Sequence, residues 1–260
     1  MRCKKCNSRL AKHDLWCVEC GTQTPRIKNE LSALKSMKRS RQGLKPQISS
    51  NVPAMGFSII TGAIPIALLT WIFARYVEYS TTMGLLLNLG LKSLLYSIFM
   101  PMLLLPFVSV CATEEYKIEL KALLSSFRSY PRYFLFSLIN ALYFSLIYLI
   151  CFGFPGFASD PILRLVWIVL LNYWFAISLP APIIMERTGQ NAWKAIKTSF
   201  KHLGDPRWNI YLMALLFILL NILGFTLLIF PALFTLAWSY FAIRDYVDLL
   251  IEYELLDYRI

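Results

Sequence analysis

The sequence predicts an all-α integral membrane protein: about six transmembrane helices plus interfacial amphipathic helices, behind a small N-terminal cysteine module. Three observations carry that expectation. Hydrophobic residues make up 57% of the 260 positions and charged residues only 16%, against roughly 25% charge in a soluble chain, and the mean hydropathy is +0.55. Apolar runs of about 20 residues, the length a bilayer crossing needs, recur along the chain. The charge is segregated: 12 of the 26 Lys and Arg precede Asn51, and the apolar runs carry almost none. The apolar core of a cleavable secretory signal is not found within 1–51, so the N-terminus is expected to be retained.

The first segment, 1–24, holds Cys3-x2-Cys6 and Cys17-x2-Cys20, two pairs separated by ten residues. Each CxxC turn lets two thiolates face one centre, and two such turns build a closed tetrahedral sulfur site suited to Zn2+; iron accepts the same ligands. Two disulfides are the other use of four cysteines, but a short segment without a secretory leader reads as a metal site. Four sulfur ligands leave no open coordination position. One structural Zn2+ on Cys3, Cys6, Cys17 and Cys20 is therefore expected, supplying most of the module's folding free energy. Asn7 and Gly21 follow the second cysteine of each pair and suit the left-handed backbone of such turns. Leu15 and Trp16 are candidates to cover the cluster, and His13 is read as a surface residue. Cys111 and Cys151, alone in apolar runs, are read as small buried hydrophobes. The pattern resembles the short zinc ribbons at the N-terminus of many prokaryotic membrane and regulatory proteins, CxxCG…FCxxCG, with Trp16 in the aromatic place and Asn7 for the first glycine. The resemblance implies a structural zinc with adaptor behaviour.

Residues 25–53 form a basic linker, with seven Lys and Arg against one acid between Arg26 and Asn51. It has neither the interleaved aromatics of a single-strand binder nor a groove-reading motif, so nucleic acid is not an expected partner. A polybasic run ahead of a membrane helix suits anionic lipid headgroups, at about 1 kcal/mol per basic group near the surface. Ile27, Leu31 and Leu34 have helical spacing and predict a short interfacial helix that Pro46 ends.

The polytopic domain, 54–250, divides into spans near 54–74, 92–112, 132–154, 162–185, 209–228 and 231–250. Met83–Leu91 is a shorter apolar stretch leading into the second span, which Pro101 and Pro106 are expected to kink. The last apolar run, 208–243, exceeds one crossing; Gly224 and Pro231 in its middle predict two helices and a hairpin, with one long tilted helix and five crossings as the alternative. With six crossings, one side collects 23 Lys and Arg and the other only Arg75, Lys92 and Arg164. Basic loops stay cytoplasmic. Both termini are thus expected in the cytoplasm, where thiolates also stay reduced, and the chain in the plasma membrane.

Two stretches, 121–157 and 194–234, read as a parallel repeat. Lys121/Lys194, Ala122/Ala195, Ser126/Ser199, Phe127/Phe200, Pro131/Pro206 and Arg132/Arg207 align with a two-residue insertion, each pair opening an amphipathic helix followed by a span. In Ala192–Leu203 the apolar residues Ala192, Ile196 and Phe200 share a face with Trp193 beside them, opposite Lys194, Lys197 and Lys201. That predicts an interfacial helix. PAPIIMERTGQNAWKAIKTSFKHL, 180–203, with its Pro-rich helix end, Glu186, Gly189 and Ala195-x3-Ser199, resembles the membrane domain of YciC-like proteins, which is also fused to some glycerophosphodiester phosphodiesterases. The resemblance covers about 120–247 and implies a six-helix membrane domain; the hydrolase domain of those fusions is missing, and its activity is not carried over.

The spans hold essentially no ionisable residue, since Lys92, Arg132 and Arg164 fall at their ends and can snorkel. Asn140, Asn172 and Asn221 inside them are read as interhelical hydrogen-bonding groups. His13 and His202 are the only histidines, and the triads, phosphate loops and metalloprotease motifs of common enzymes are missing. No catalytic or cofactor-binding residue is assigned and an enzyme is not expected. The acidic stretch from Asp245, with the tail 251–260 at its end, carries five acids and one Arg; it is opposite in sign to the linker and is expected to dock it or the ribbon. The chain is expected to hold its zinc site at the cytoplasmic membrane face as an adaptor or regulatory module for a cytoplasmic protein, with a channel or transporter for a small or lipidic solute as the alternative.

Overall fold

The computed structural model describes residues 2–3, 5–10, 16–22, 24, 31–76, 82–153, 161–202, 207–227, 230–253 and 256. His13, Leu15, Ile27 and the tail's last four residues lie outside them. Among the described residues the fold is helical: α1 Ala33–Leu44, α2 Ile48–Ser58, α3 Ile64–Tyr76, α4 Thr82–Ala112, α5 Leu120–Ser125, α6 Tyr130–Phe152, α7 Pro161–Ser178, α8 Ala181–Thr188, α9 Ala192–His202, α10 Arg207–Thr226 and α11 Phe230–Glu252. Five helical stretches are long and apolar enough to cross a membrane: Ala33–Arg75, Met83–Ala112, Leu120–Phe152, Pro161–Thr188 and Asn209–Thr226. α11 is not among the five; its C-terminal half carries Arg244, Asp245 and Asp248.

The prolines decide where helices bend. Pro46 does not end the linker helix: it sits in a 3-10 turn, Lys45–Gln47, from which α2 continues, because a proline in a first turn sacrifices an N–H that has no helical partner there. A π turn at Ile59–Ala63, where the Ile64 N–H reaches back to the Ile59 carbonyl, precedes Pro65, which cannot donate to the turn before it. α4 is one helix through Pro101 and Pro106, so 83–91 belongs to the second span. The fourth span is two helices, because Pro180 and Pro182 interrupt the ladder between α7 and α8. The run 208–243 is also two helices, α10 and α11, which pack together. At Gly224 a Cβ would meet Ala232 and Thr235 at 2.8–3.1 Å, so the glycine permits their close approach.

The packing is inverted relative to a soluble protein. Ile64, Leu68, Trp71, Leu87, Leu146, Leu165 and Leu219 are exposed, whereas Ser93, Ser97, Ser109, Ser137 and Ser239 are buried. Small and polar side chains between helices allow close approach and hydrogen bonding where hydrocarbon would cover the outside. Ser93 Oγ, for example, lies 2.8 Å from Ser145 Oγ between α4 and α6. α11 is the hub, packed by α1, α2, α4, α8 and α10, with Ala232, Ala237, Phe241, Ala242, Tyr246 and Val247 fully or almost fully buried.

The linker helix is therefore a structural member of the bundle. α1 packs on α11 through Ala33, Ser36, Met37, Ser40 and Leu44, and the Trp238 Nε1–H donates to the Met37 carbonyl at 2.9 Å. Leu31 is buried ahead of it, but Leu34, expected on the same face, is 60% exposed. The two repeat stretches each fold as a short helix followed by a long one, α5–α6 and α9–α10. In α9 the buried residues are Ala192, Ala195, Ile196 and Ser199, with Ser199 Oγ donating to the Ile177 carbonyl at 2.6 Å. Phe200, expected beside Ile196, is exposed together with Trp193. The buried face of α9 lies against α7 and α8.

Candidate metal centre

The two CxxC turns fold alike. Cys3 N–H donates to the Ser8 carbonyl at 2.9 Å and Asn7 N–H to the Cys3 carbonyl at 3.0 Å; Cys17 and Gly21 repeat the pattern at 2.9 and 2.8 Å, with the Thr22 carbonyl in the place of Ser8. Asn7 and Gly21 close the turns with φ of 60° and 65°, the left-handed backbone that asparagine and glycine tolerate best. An isolated antiparallel bridge between Arg2 and Arg9 straddles the first turn.

This geometry brings together the four cysteines singled out from spacing. The Sγ atoms of Cys3, Cys6, Cys17 and Cys20 all lie within 4.8 Å of one another, with Cys3–Cys20 at 3.5 Å and Cys6–Cys17 at 3.4 Å. A tetrahedral site with metal–sulfur bonds of about 2.3 Å has ligand–ligand edges near 3.8 Å, so the donor set fits a metal ion. The cysteines are unpaired. Ser8 Oγ lies 2.9 Å from Cys17 Sγ and 3.0 Å from Cys6 Sγ, and Thr22 Oγ1 is 3.1 Å from Cys20 Sγ. The Ser8 hydroxyl is the main cause that lowers the Cys17 thiol to about 6, against the opposing effect of burial. A lowered thiol is a thiolate, the form that ligates.

The covering residue differs from expectation. Leu10, with Cys3 and Cys17, forms the module's small apolar cluster. Trp16 packs instead against the large core of the helical bundle, the cluster that includes Leu31. The aromatic before the third cysteine thus joins the metal module to the helices.

A second polar constellation lies where α11 meets the end of α4. Arg244, 4% exposed, donates through Nη1 to the carbonyls of Val110, Thr113 and Glu115 at 3.2, 2.9 and 3.0 Å, and through Nη2 to Glu114 at 3.4 Å. These include carbonyls that the end of a helix leaves without partners. Its guanidinium lies over the Tyr116 and Phe241 rings at 4.9 and 5.0 Å. Tyr116 OH donates to both carboxylate oxygens of Asp245 at 3.1 Å, while burial first, and then that carboxylate, pushes the phenol above its ordinary value. It therefore stays a donor. Arg187 makes a bidentate pair with Asp248 at 2.8 Å and donates to the Cys111 carbonyl at 3.0 Å. Arg39 of α1 lies 3.7 Å from Asp245, and Asn51 clamps the loop by bonding the Tyr116 carbonyl and the Ile118 N–H. The acidic stretch from Asp245 thus meets the linker, at α11 itself.

The expectation that the spans hold essentially no ionisable group fails here. Arg244, Asp245 and Asp248 stand at i, i+1 and i+4 inside the predicted span 231–250, and charge inside a span is the signal that marks them. The asparagines act between helices: Asn140 accepts from Trp174 Nε1 at 2.8 Å and Asn221 donates to Ser239 at 3.1 Å. The Asn172 Oδ1 is buried without a partner. Cys151 is buried and Cys111 half-buried. No protein-family model matches this chain, and neither a curated protein nor a solved structure is similar to it.

Proposed function

We propose that the chain is a non-enzymatic integral membrane protein of the plasma membrane that holds one structural Zn2+ in an N-terminal ribbon at the cytoplasmic face, as an adaptor or regulatory module for a cytoplasmic protein. The observation that carries the reading is the closed four-sulfur cluster on a module whose Trp16 packs into the core of a bundle with exposed aliphatic faces. A site closed by four thiolates organises a surface and leaves no position for a substrate. Zinc is the metal best matched to that set in a reducing compartment. Six crossings follow if α11, 23 residues long, crosses with its charged groups paired inside the bundle. The basic loops then place both termini in the cytoplasm.

The test is purification from native membranes of the full chain and of the Cys3→Ser/Cys17→Ser variant. Stoichiometric zinc and a cytoplasmic protein that co-purifies only with the wild type are the expected result. A metal-free wild type, or a partner retained by the variant, overturns the reading. Solute flux in proteoliposomes that Asn140→Leu abolishes would transfer the chain to the channel or transporter class.

A further inference from the structure

α1 and α2 meet α11 along a cleft of about 340 Å³, bounded by Leu44, Ile48 and Val52 on one side and Pro231, Phe234 and Ala237 on the other. Its one polar lining side chain, Asn51, is already committed at both ends to the Tyr116 carbonyl and the Ile118 N–H. A cleft with no free polar group offers water nothing to bond, and it borders helices whose outward faces are aliphatic. Ile48 and Val52 remain 39% and 37% exposed along it.

The same helical stripe continues into charge. Arg41, Lys45, Ile48 and Val52 follow one another at i, i+4, i+7 and i+11 and so share a face. Arg41 and Lys45 are exposed, and neither makes an ion pair among the described residues. Two unpaired cations leading directly into an apolar slot match an amphiphile with an anionic head and a hydrocarbon tail. We infer that this cleft is a binding site for one anionic phospholipid of the surrounding bilayer, with an acyl chain along Ile48, Val52 and Phe234 and the phosphate at Arg41 and Lys45. The site rests on the membrane reading above. It gives the polybasic linker a specific seat in place of a diffuse attraction, and it makes the lipid a wedge between the ribbon-bearing helix and the hub helix.

The experiment uses the full chain in nanodiscs of equimolar phosphatidylglycerol and phosphatidylcholine, released into mild detergent, with native mass spectrometry of the retained phospholipid. The wild type should retain one phosphatidylglycerol over phosphatidylcholine by on the order of tenfold, from two basic groups near the phosphate. Arg41→Gln/Lys45→Gln, at exposed positions that do not support the fold, should erase the headgroup preference. Val52→Trp should fill the slot and remove the retained lipid. Retention unchanged in Val52→Trp, or a preference unchanged in the double variant, makes the lipid a general annular one and overturns the site. Carbonate washing of the source membranes separates the two readings: a chain that washes off defeats the membrane reading and this one with it, whereas a chain that stays while the lipid counts do not respond defeats only this one.

Discussion

The metal module and the Arg244 cluster solve one problem in opposite ways. In each, electron-pair donors converge on one centre. In the module four thiols converge from 18 consecutive positions, Cys3 to Cys20, around a centre that a metal ion would fill, and the apolar support is little more than Leu10. In the cluster the cation is the Arg244 side chain, and its acceptors and neighbours come from Arg39 to Asp248, most of the chain's length apart. The first is local and its stability is a binding free energy. The second is global and exists only once five helices have packed. Perturbing either should leave the other standing, and that independence is what the following changes probe.

The largest effect is expected from Cys3→Ser with Cys17→Ser. If the four cysteines hold the proposed zinc, which contributes about 10–16 kcal/mol to small modules of this kind, the module should lose metal and fold together, read by metal analysis and by alkylation of Cys6 and Cys20. The helix content of the bundle should hold; a parallel loss would show that the two regions are one unit. Acid should do the same reversibly. A thiol lowered to about 6 from 9.0 contributes stability in full above its ordinary value, and that contribution is lost as pH falls through about 6. Protons compete with a metal for all four thiolates, so acidification followed with a chromophoric chelator should release the metal with no matching change in the bundle.

Next comes Arg244→Met. It strands the carbonyls at the end of α4 and leaves Asp245 without its neighbouring guanidinium. Breaking a buried charged network typically costs about 3–5 kcal/mol, to be measured by denaturant unfolding in micelles, while metal content stays at the wild-type value. Gly43→Ala is smaller: a Cβ there would overlap the Tyr116 ring, and overpacking of this kind costs about 1–3 kcal/mol. Tyr116 also covers Arg244, so the two changes together should fall short of additive. Arg39→Gln should be the weakest, below about 1 kcal/mol, because its pair with Asp245 is long and more than a third exposed on the arginine side. An Arg39→Gln effect as large as that of Arg244→Met would mean that the linker, and not the hub helix, holds the cluster together.

The spacing of the cysteines made the four-sulfur cluster legible because all four cysteines and the two turn residues, Asn7 and Gly21, act over a few positions. Five stretches of membrane-crossing length and apolarity were legible for a similar reason, since both properties are local sums. Helix-ending rules served less well. Pro46 was expected to end the linker helix and does not, because in a first turn its missing N–H has no helical partner to lose. The face of α1 was misjudged at Leu34, which is exposed although Leu31 is buried, whereas the exposed Trp193 and Phe200 of α9 are compatible with the interfacial face read there.

By itself the sequence determined an all-helical chain with apolar stretches of membrane-crossing length and a four-cysteine site at its front, since both depend on neighbours along the chain. Tertiary structure alone decided that α11 is the hub, that the linker helix lies against it, that Trp16 turns from the cysteines to the bundle, and that Arg244 finds its carbonyl acceptors on another helix and loop. The contacts of the linker helix and of Arg244 join residues more than a hundred positions apart. Only the shapes of packed helices select among the many partners that composition would allow.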